Sequence, residues 1–197
     1  MTTPDAQRWD IRYQHMPRFA SFEQPRPFLT ENAHWLPEHG LALDIAMGLG
    51  GNASFLLAYG LKVIGVDISE VGLNRAKNRS PGLMAVLADL NNFYFLPKSF
   101  DVILNFFYLQ RDLWPVYAKA LKPNGLLFFE TLTIEMLEIQ PKIEPKYLLK
   151  PGELQQAFST WEILTYWEGW TENETGHRRA VARLIARKMD LLILSNP

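Results

Sequence analysis

The sequence contains no cysteine, and this absence removes several kinds of chemistry at once. A chain of 197 residues without cysteine has no disulfide, no thiolate nucleophile, no thiolate zinc site and no cysteine-ligated iron–sulfur cluster. The four histidines, His15, His34, His39 and His177, do not follow the spacing of metal ligands. We therefore expect no metal site.

The sequence also lacks a strong net charge and a long apolar run. A formal charge of -1 gives no basic surface for nucleic acid or for an anionic membrane, so we expect neither as a partner. No apolar run approaches the roughly 20 residues that span a bilayer. The first residues, MTTPDAQRWDIRYQ, lack the apolar segment of a secretory signal, so we expect a cytoplasmic protein.

No internal repeat, low-complexity segment or long linker divides the chain. Apolar residues make up 48% and charged residues 21%, which is ordinary for a globular protein with a real core. We predict a single domain over residues 1–197. Residues 1–40 are expected to form a helical cap or lid, and residues 41–197 the core.

Strands and helices alternate along the core, which predicts an α/β fold with a mostly parallel sheet covered on both faces. The predicted strands are 41–46, 62–66, 83–88, 101–106 and 125–130. The predicted helices lie near 51–59, 70–79 and 112–121. We expect Ser69 to cap the second of these helices and Gly72 to weaken it. The segment Pro123-Asn124-Gly125 predicts a turn before the fifth strand.

The pattern changes after residue 150. Pro151 and Gly152 indicate the start of a short helix, and residues 161–170 and 178–188 indicate two strands around a polar hinge. Such a pair would close the sheet edge in antiparallel fashion. The complete prediction is a Rossmann-like, doubly wound, seven-stranded sheet, mostly parallel, with a C-terminal antiparallel strand pair.

The most informative stretch runs from Leu41 to Asp67. It contains a strand that includes Asp44, a glycine turn with Gly48 and Gly50, and a second strand that ends in Asp67. The glycines let the backbone pass close to a ligand, and Asp67 is placed to accept hydrogen bonds from ribose hydroxyls. An acidic Asp44 beside the turn suits a ligand with an amino group and disfavours a diphosphate.

Further candidate contacts follow the later strands, where ligands bind in open α/β sheets. Ile68 offers an apolar wall for adenine. The Asp89 carboxylate and the neighbouring amide can bind the amino edge of adenine, and Leu90 can pack on its ring. Asp89 is alternatively a turn cap. Asn105 either touches the ligand or forms hydrogen bonds with backbone groups at the strand end. Phe106 begins an aromatic run in which about half of the side chains should lie in the core, because alternate side chains on a strand face opposite ways.

With these residues in view, the chain from about residue 41 onward resembles the class I S-adenosylmethionine-dependent methyltransferases. Within them it is similar to the small bacterial tellurite-resistance-type methyltransferases. The segments that carry the resemblance are WDIRY (9–13), Asn52-Ala53, FFYLQR (106–111), LKPNGLLFFET (121–131) and YLLKPGEL (147–154). The resemblance implies S-adenosylmethionine as cofactor, S-adenosylhomocysteine as its product, and a small-molecule methyl acceptor.

The cofactor-binding residues implied in this way are Trp9, Tyr13, Asp44, Ala46, Gly48, Gly50, Asn52, Ala53, Asp67, Ile68, Asp89, Leu90, Asn105 and Phe106. Trp9 and Tyr13 lie four residues apart, on one face of a helix. They form either a hydrophobic anchor or a lid whose aromatic faces cover the sulfonium.

The implied mechanism is direct displacement, in which the protein aligns a nucleophile and excludes water. A base is needed only when the nucleophile must lose a proton, and the candidates are Tyr108, Glu130 and His15. Three arginines are candidates for binding an anionic substrate or for surface salt bridges: Arg12, Arg18 and Arg111.

Two other functions fit parts of the pattern. Gly48-x-Gly50-x-x-Ala53 also satisfies a relaxed dinucleotide fingerprint, so an NAD- or FAD-dependent oxidoreductase is an alternative, although Asp44 would crowd its diphosphate. A non-catalytic S-adenosylmethionine-binding protein with the same fold is the other alternative. The oligomeric state is not encoded in any pattern that we recognise.

Overall fold

The computed structural model describes residues 3–15, 22–173 and 176–189. They fall into two compact units, Met1–Phe95 and Leu96–Pro197. The prediction of a single domain over residues 1–197 stays a prediction. In the described part of the chain, none of the helices has the length and apolar character that a membrane crossing requires.

The described residues before the first strand include two short α-helices and a 3₁₀ turn. Helix α1 spans Pro4–His15, helix α2 spans Pro27–Glu31, and a 3₁₀ turn covers Ala33–Trp35. Both α-helices begin at a proline, which lacks the N–H group that the first helical turn leaves unpaired. Residues 16–21, which include Arg18 and part of the predicted lid, lie outside the described residues.

The rest of the first unit consists of two successive βαβ crossovers. Its elements are β1 (Leu41–Ile45), α3 (Gly51–Tyr59), β2 (Lys62–Asp67), α4 (Glu70–Arg79) and β3 (Met84–Leu87). The three strands are parallel. The Ser69 hydroxyl accepts a hydrogen bond of 3.0 Å from the N–H of Gly72, which confirms the predicted cap of α4.

The second unit contains the remaining four strands. They are β4 (Phe100–Phe106), β5 (Leu121–Leu132), β6 (Glu162–Glu172) and β7 (Arg178–Arg187), with helices α5 (Trp114–Ala120) and α6 (Glu153–Ala157). Strands β4 and β5 are parallel, and β7 pairs antiparallel with both β5 and β6. The predicted antiparallel strand pair at the C-terminal end is confirmed.

The predicted turn before the fifth strand is a bulge inside β5. The pairing of β4 with β5 jumps from Phe100 opposite Leu121 to Val102 opposite Leu126, so the residues between loop out of the ladder. Asn124 has a φ angle of +62°, and its N–H donates to the carbonyl of Lys188 at 3.0 Å. The predicted turn is therefore present, but it lies inside β5, where a hydrogen bond attaches it to Lys188, the residue after β7.

The seven strands form one sheet in the order β3-β2-β1-β4-β5-β7-β6. The sheet is mostly parallel with an antiparallel C-terminal pair, which confirms the predicted Rossmann-like α/β fold. Strand β3 lies at an edge and exposes Met84 and Leu87. The predicted helix over 112–121 is shorter than expected, because a 3₁₀ turn at Arg111–Leu113 precedes α5 and α5 ends at Ala120.

Candidate functional site

Between β1 and α3 the chain turns sharply through residues 46–50. The φ angles are +50° for Ala46, +59° for Gly48 and +72° for Gly50, all in the left-handed region. A Cβ atom at Gly48 would lie 2.8 Å from the hydroxyl oxygen of Tyr13. Both the backbone conformation and the close approach of Tyr13 therefore favour glycine at position 48.

Asp67, at the end of β2, organises this turn. Its Oδ2 atom accepts a hydrogen bond of 2.7 Å from the N–H of Gly48, and its Oδ1 atom accepts one of 2.8 Å from the N–H of Ser69. The side chain is buried, with 5% exposure, and burial raises its pKa to about 6. The charge of Asp10 raises this pKa further, while the amide hydrogen bonds lower it.

Asp44, in β1, is buried more deeply, with 1% exposure. Its Oδ2 atom has no hydrogen-bond partner, although the N–H of Ala53 donates to the carboxyl group. Burial raises the pKa of Asp44 to about 8, and the negative charge of Asp67 adds to the increase. A buried acceptor without a donor costs free energy. This part of the first unit therefore favours a ligand that brings hydrogen-bond donors and positive charge.

Helix α1 packs on the glycine turn through Tyr13. The phenol ring is buried, and a Cβ atom at Gly72 would lie 3.2 Å from two of its ring carbons. Burial raises the pKa of Tyr13, and the charge of Asp67 raises it further. Gly72, which the sequence marks as a weak position in α4, thus makes room for the Tyr13 ring.

Trp9 lies beside Tyr13 on α1, as their spacing predicts. The two ring centroids are 5.4 Å apart. The guanidinium of Arg12 lies 4.8 Å from the centroid of the Trp9 ring, so Arg12 already stacks on one face of that ring.

The sequence interpretation missed Asp10, which lies between Trp9 and Tyr13. The carboxylate oxygen Oδ1 of Asp10 accepts hydrogen bonds from the hydroxyl of Ser69 at 2.5 Å and from the N–H of Val71 at 3.2 Å. The only signal for this contact in the sequence is general: the first N–H groups of a helix lack partners within the helix, and Val71 carries one of them.

Three of the remaining predicted cofactor contacts lie at the start of α3 and after β2. The side-chain oxygen of Asn52 accepts a hydrogen bond of 2.8 Å from the N–H of Arg26, so this side chain connects α3 to the residue before α2. Ala53 is fully buried, and Ile68 is half-buried next to Asp67.

Asp89 and Leu90 follow β3. The Asp89 Oδ1 atom accepts hydrogen bonds of 2.9 Å from both the backbone N–H and the side-chain amide of Asn91. Asp89 therefore stabilises its own turn, which is the alternative that the sequence left open. Leu90 is buried. Contacts of these two residues with adenine stay predictions.

In the second unit, Asn105 is buried near the end of β4, and both ends of its amide bind the chain itself. The Tyr117 hydroxyl donates to Asn105 Oδ1 at 2.8 Å, and Asn105 Nδ2 donates to the carbonyl of Tyr108 at 2.6 Å. This agrees with the strand-end role that the sequence left open. Phe106 is buried next to it, and the Tyr108 hydroxyl donates to the side chain of Gln110 at 2.6 Å.

Arg111 is engaged throughout its guanidinium group. Its Nε and Nη2 atoms contact the Glu153 carboxylate at 2.5 and 2.8 Å, and the side chain also donates to the carbonyls of Lys146 and Leu148 at 3.0 Å. The hydrogen bond with Glu153 raises the pKa of Arg111 and lowers that of Glu153. This geometry favours a structural role over the predicted binding of an anionic substrate.

The other candidate catalytic residues have different surroundings. Glu130 is buried in β5, and its Oε1 atom lies 3.2 Å from Nε of Arg183. His15 is exposed at the last position of α1. Within residues 3–15, 22–173 and 176–189, no group of three or more histidine, aspartate or glutamate side chains is arranged to hold a metal ion.

The structure therefore brings part of the predicted cofactor site together within the first unit. Direct contacts connect Asp44 with Ala53, and Asp67 and Tyr13 with Gly48. No comparable grouping of the catalytic candidates is observed among the described contacts within the second unit, and the roles of Tyr108, Arg111, Glu130 and His15 stay predictions.

Part of this chain is similar in sequence to known proteins. Residues 42–125 match the family model described as a methyltransferase domain. A curated relative, the phthiotriol/phenolphthiotriol dimycocerosates methyltransferase of Mycobacterium tuberculosis (strain ATCC 25177 / H37Ra), is 37% identical over 93 residues, which are 42% of this chain and 34% of that protein. The chain spans less than half the length of the curated relatives it matches.

Solved structures extend the similarity to most of the chain. A SAM-dependent methyltransferase from Methanosarcina mazei superposes with a TM-score of 0.68 at 19% identity, over 84% of this chain and 99% of that one. TehB from Haemophilus influenzae superposes with a TM-score of 0.69 at 17% identity, over 91% of this chain and 67% of that one.

These comparisons confirm the resemblance inferred from the sequence motifs. The fold of this chain is that of solved S-adenosylmethionine-dependent methyltransferases, and its residues 42–125 match the family model of a methyltransferase domain.

Proposed function

We propose that this protein is an S-adenosylmethionine-dependent methyltransferase that transfers a methyl group by direct displacement to a small-molecule acceptor. The observation that carries the proposal is the unpaired, buried Oδ2 atom of Asp44, in the same unit as Asp67 and the glycine turn. A ligand with an amino group and a positive sulfur brings donors to this oxygen and stabilises the ionised form of Asp44, whereas a diphosphate opposes its ionisation.

The other groups of the first unit support the same ligand. Asp67 already accepts hydrogen bonds from the backbone amides of Gly48, Ser69 and Ile68, but a carboxylate has about four acceptor positions, so capacity remains for one ribose hydroxyl. Ile68 and Leu90 supply apolar surface for adenine. We propose Ala46, Gly48, Gly50, Asn52, Ala53 and Asp89 as further contacts.

When bound, S-adenosylmethionine supplies a methyl group activated by the positive charge on its sulfur. The protein has to position the acceptor and exclude water. Tyr13 and Trp9 supply aromatic faces that attract a cation by roughly 0.5–2 kcal/mol. Because Arg12 already stacks on Trp9, Tyr13 is the stronger candidate to cover the sulfonium.

The acceptor follows from the analogy with the tellurite-resistance-type enzymes. We propose a soft nucleophile, either a chalcogen oxyanion or a small thiol, which attacks carbon without a strong general base once it is ionised. Tyr108 and Glu130 would have to give up their contacts with Gln110 and Arg183 to act as bases. Their engagement favours an acceptor of this kind.

The proposal is tested by calorimetric titration of the purified protein with S-adenosylmethionine, S-adenosylhomocysteine, NAD and NADP. We expect micromolar binding of the first two and no heat from the dinucleotides. Binding of NAD or NADP alone would identify the oxidoreductase alternative. No heat from all four ligands would contradict the proposal.

Turnover distinguishes the enzyme from a non-catalytic binder. The engagement of Glu130 and Arg111 with other side chains is also what a binder would show. Transfer of the tritiated methyl group from S-adenosylmethionine to selenite, tellurite or a small thiol, with release of S-adenosylhomocysteine, identifies an enzyme. Tight cofactor binding without transfer to any acceptor class favours the binder. The cytoplasmic location and the expected absence of nucleic-acid and membrane partners stay predictions.

A further inference from the structure

Helix α1 carries an acidic residue, Asp10, that contacts the start of another helix. Its Oδ1 atom accepts hydrogen bonds from the Ser69 hydroxyl at 2.5 Å and from the Val71 N–H at 3.2 Å. The same Ser69 oxygen accepts the N–H of Gly72 at 3.0 Å. Asp10 therefore completes the N-terminal cap of α4 from outside, where the helix dipole favours a negative charge.

This contact lies directly beside the proposed cofactor residues. The N–H of Ser69 donates to Asp67 Oδ1 at 2.8 Å, so the residue that Asp10 contacts is also bonded to the proposed ribose acceptor. One turn after Asp10 on the same face of α1, the Tyr13 hydroxyl approaches Gly48. A single face of α1 thus contacts both α4 and the glycine turn.

A second interaction attaches the end of α1. The Arg75 side chain of α4 donates through Nη1 to the backbone carbonyl of Tyr13 at 2.8 Å, and through Nη2 to Glu23. A cation at the C-terminal end of a helix is favourable.

Asp5, another acidic residue of α1, forms an ion pair with Arg8 of the same helix, and its side chain is 65% exposed.

We infer that Asp10 is a positioning residue of the cofactor site, because it holds α1 on the start of α4 and thereby keeps Tyr13 over the glycine turn. The inference rests on the proposed function, since it takes S-adenosylmethionine or its product as the ligand. Attachment of α1 and occupation of the site are then coupled, and each favours the other by the same factor.

The test compares the wild type with Asp10→Ala, Asp10→Asn and the matched control Asp5→Ala. Hydrogen exchange of the α1 amides is measured without ligand, and the Kd for S-adenosylhomocysteine is measured by calorimetry. We expect Asp10→Ala to accelerate exchange and to raise Kd, each by about tenfold. Asp10→Asn keeps the acceptor oxygen and should restore both values to within about threefold of the wild type. Asp5→Ala should match the wild type.

Three results would overturn the inference. Asp10→Ala could match Asp5→Ala in both measurements, it could exchange faster with an unchanged Kd, or Asp10→Asn could lose as much affinity as Asp10→Ala. If the wild type does not bind S-adenosylhomocysteine, the proposed function fails first, while the exchange data still report the attachment of α1. If Asp10→Ala is not cooperatively folded, Asp10→Ser takes its place in both measurements. The serine side chain is polar but too short to reach both the Ser69 hydroxyl and the Val71 N–H.

Discussion

The N–H of Gly48 donates a hydrogen bond of 2.7 Å to the Oδ2 atom of Asp67, so the acid at the end of β2 fixes the turn that follows β1. The Tyr13 hydroxyl approaches Gly48 so closely that a Cβ atom there, at 2.8 Å from its oxygen, would force it to shift. Asp67, Gly48 and Tyr13 therefore hold one another in place, and a change at Gly48 disturbs all three.

Gly48→Ala should weaken cofactor binding more than its cost in stability explains. The matched control is Gly152→Ala, since Gly152 has a similar φ of +68° but has no atom within 4 Å of a built Cβ. Both variants should lose roughly 1 kcal/mol from the strained backbone. Only Gly48→Ala should also raise the Kd for S-adenosylhomocysteine by about tenfold or more. Equal affinity of the two variants in calorimetry would contradict the proposed site.

Asp44 should make the free energy of unfolding fall as the pH rises. Its folded-state pKa is raised to about 8, so the folded protein binds a proton between about pH 4 and pH 8 that the unfolded chain has released. Stability should fall by up to about 1.4 kcal/mol per pH unit in this range. Asp67, whose pKa is raised to about 6, contributes in the same direction only up to that pH.

Asp44→Asn should therefore flatten the dependence of stability on pH between pH 6 and pH 8. Urea unfolding at pH 6, 7 and 8 measures this slope, and Asp5→Asn is the control because the Asp5 side chain is 65% exposed. A slope in Asp44→Asn equal to that of the control would show that Asp44 is ionised throughout.

Arg111 and Glu153 should stabilise the second unit as a pair. A double-mutant cycle with Arg111→Ala and Glu153→Ala should give a coupling free energy of about 1 kcal/mol, reduced from the fully buried case by solvent screening. The more exposed pair Arg8–Asp5 should show no measurable coupling. Zero coupling between Arg111 and Glu153 would favour the earlier interpretation of Arg111 as a substrate ligand.

Tyr117→Phe should destabilise the protein, because it leaves the buried Oδ1 atom of Asn105 without its donor. The expected loss is about 1–3 kcal/mol in the free energy of unfolding. Tyr94→Phe is the matched control, since Tyr94 is 74% exposed. Equal stability of the two variants in urea unfolding would mean that Asn105 gains another donor.

The sequence predicted those features that depend on neighbouring residues. The apolar runs of β1 and β2, the glycine turn and the Ser69 cap are local, and helices α3 and α4 have the predicted bounds of 51–59 and 70–79. Three acidic positions at ordered spacings predict the ligand class, because strand ends in a parallel sheet share one edge, and their contacts with that ligand stay predictions.

Contacts between distant residues could not be predicted in the same way. Asn105 receives its donor from Tyr117, Arg111 binds Glu153 42 positions away, and Asp10 contacts Ser69 59 positions away. Each of these side chains is chemically able to bind a ligand. Only the folded arrangement shows that they are already bonded to the chain itself.

The most direct test of the account is the number of protons released when S-adenosylhomocysteine binds. At pH 7 Asp44 is mostly protonated, and an amino group beside it should drive the proton off. Calorimetry at pH 7 in two buffers of different ionisation enthalpy measures this number for the wild type and for Asp44→Asn. The account predicts release of up to about one proton by the wild type and much less by the variant. Equal release by both proteins would contradict the placement of a positive ligand group at Asp44.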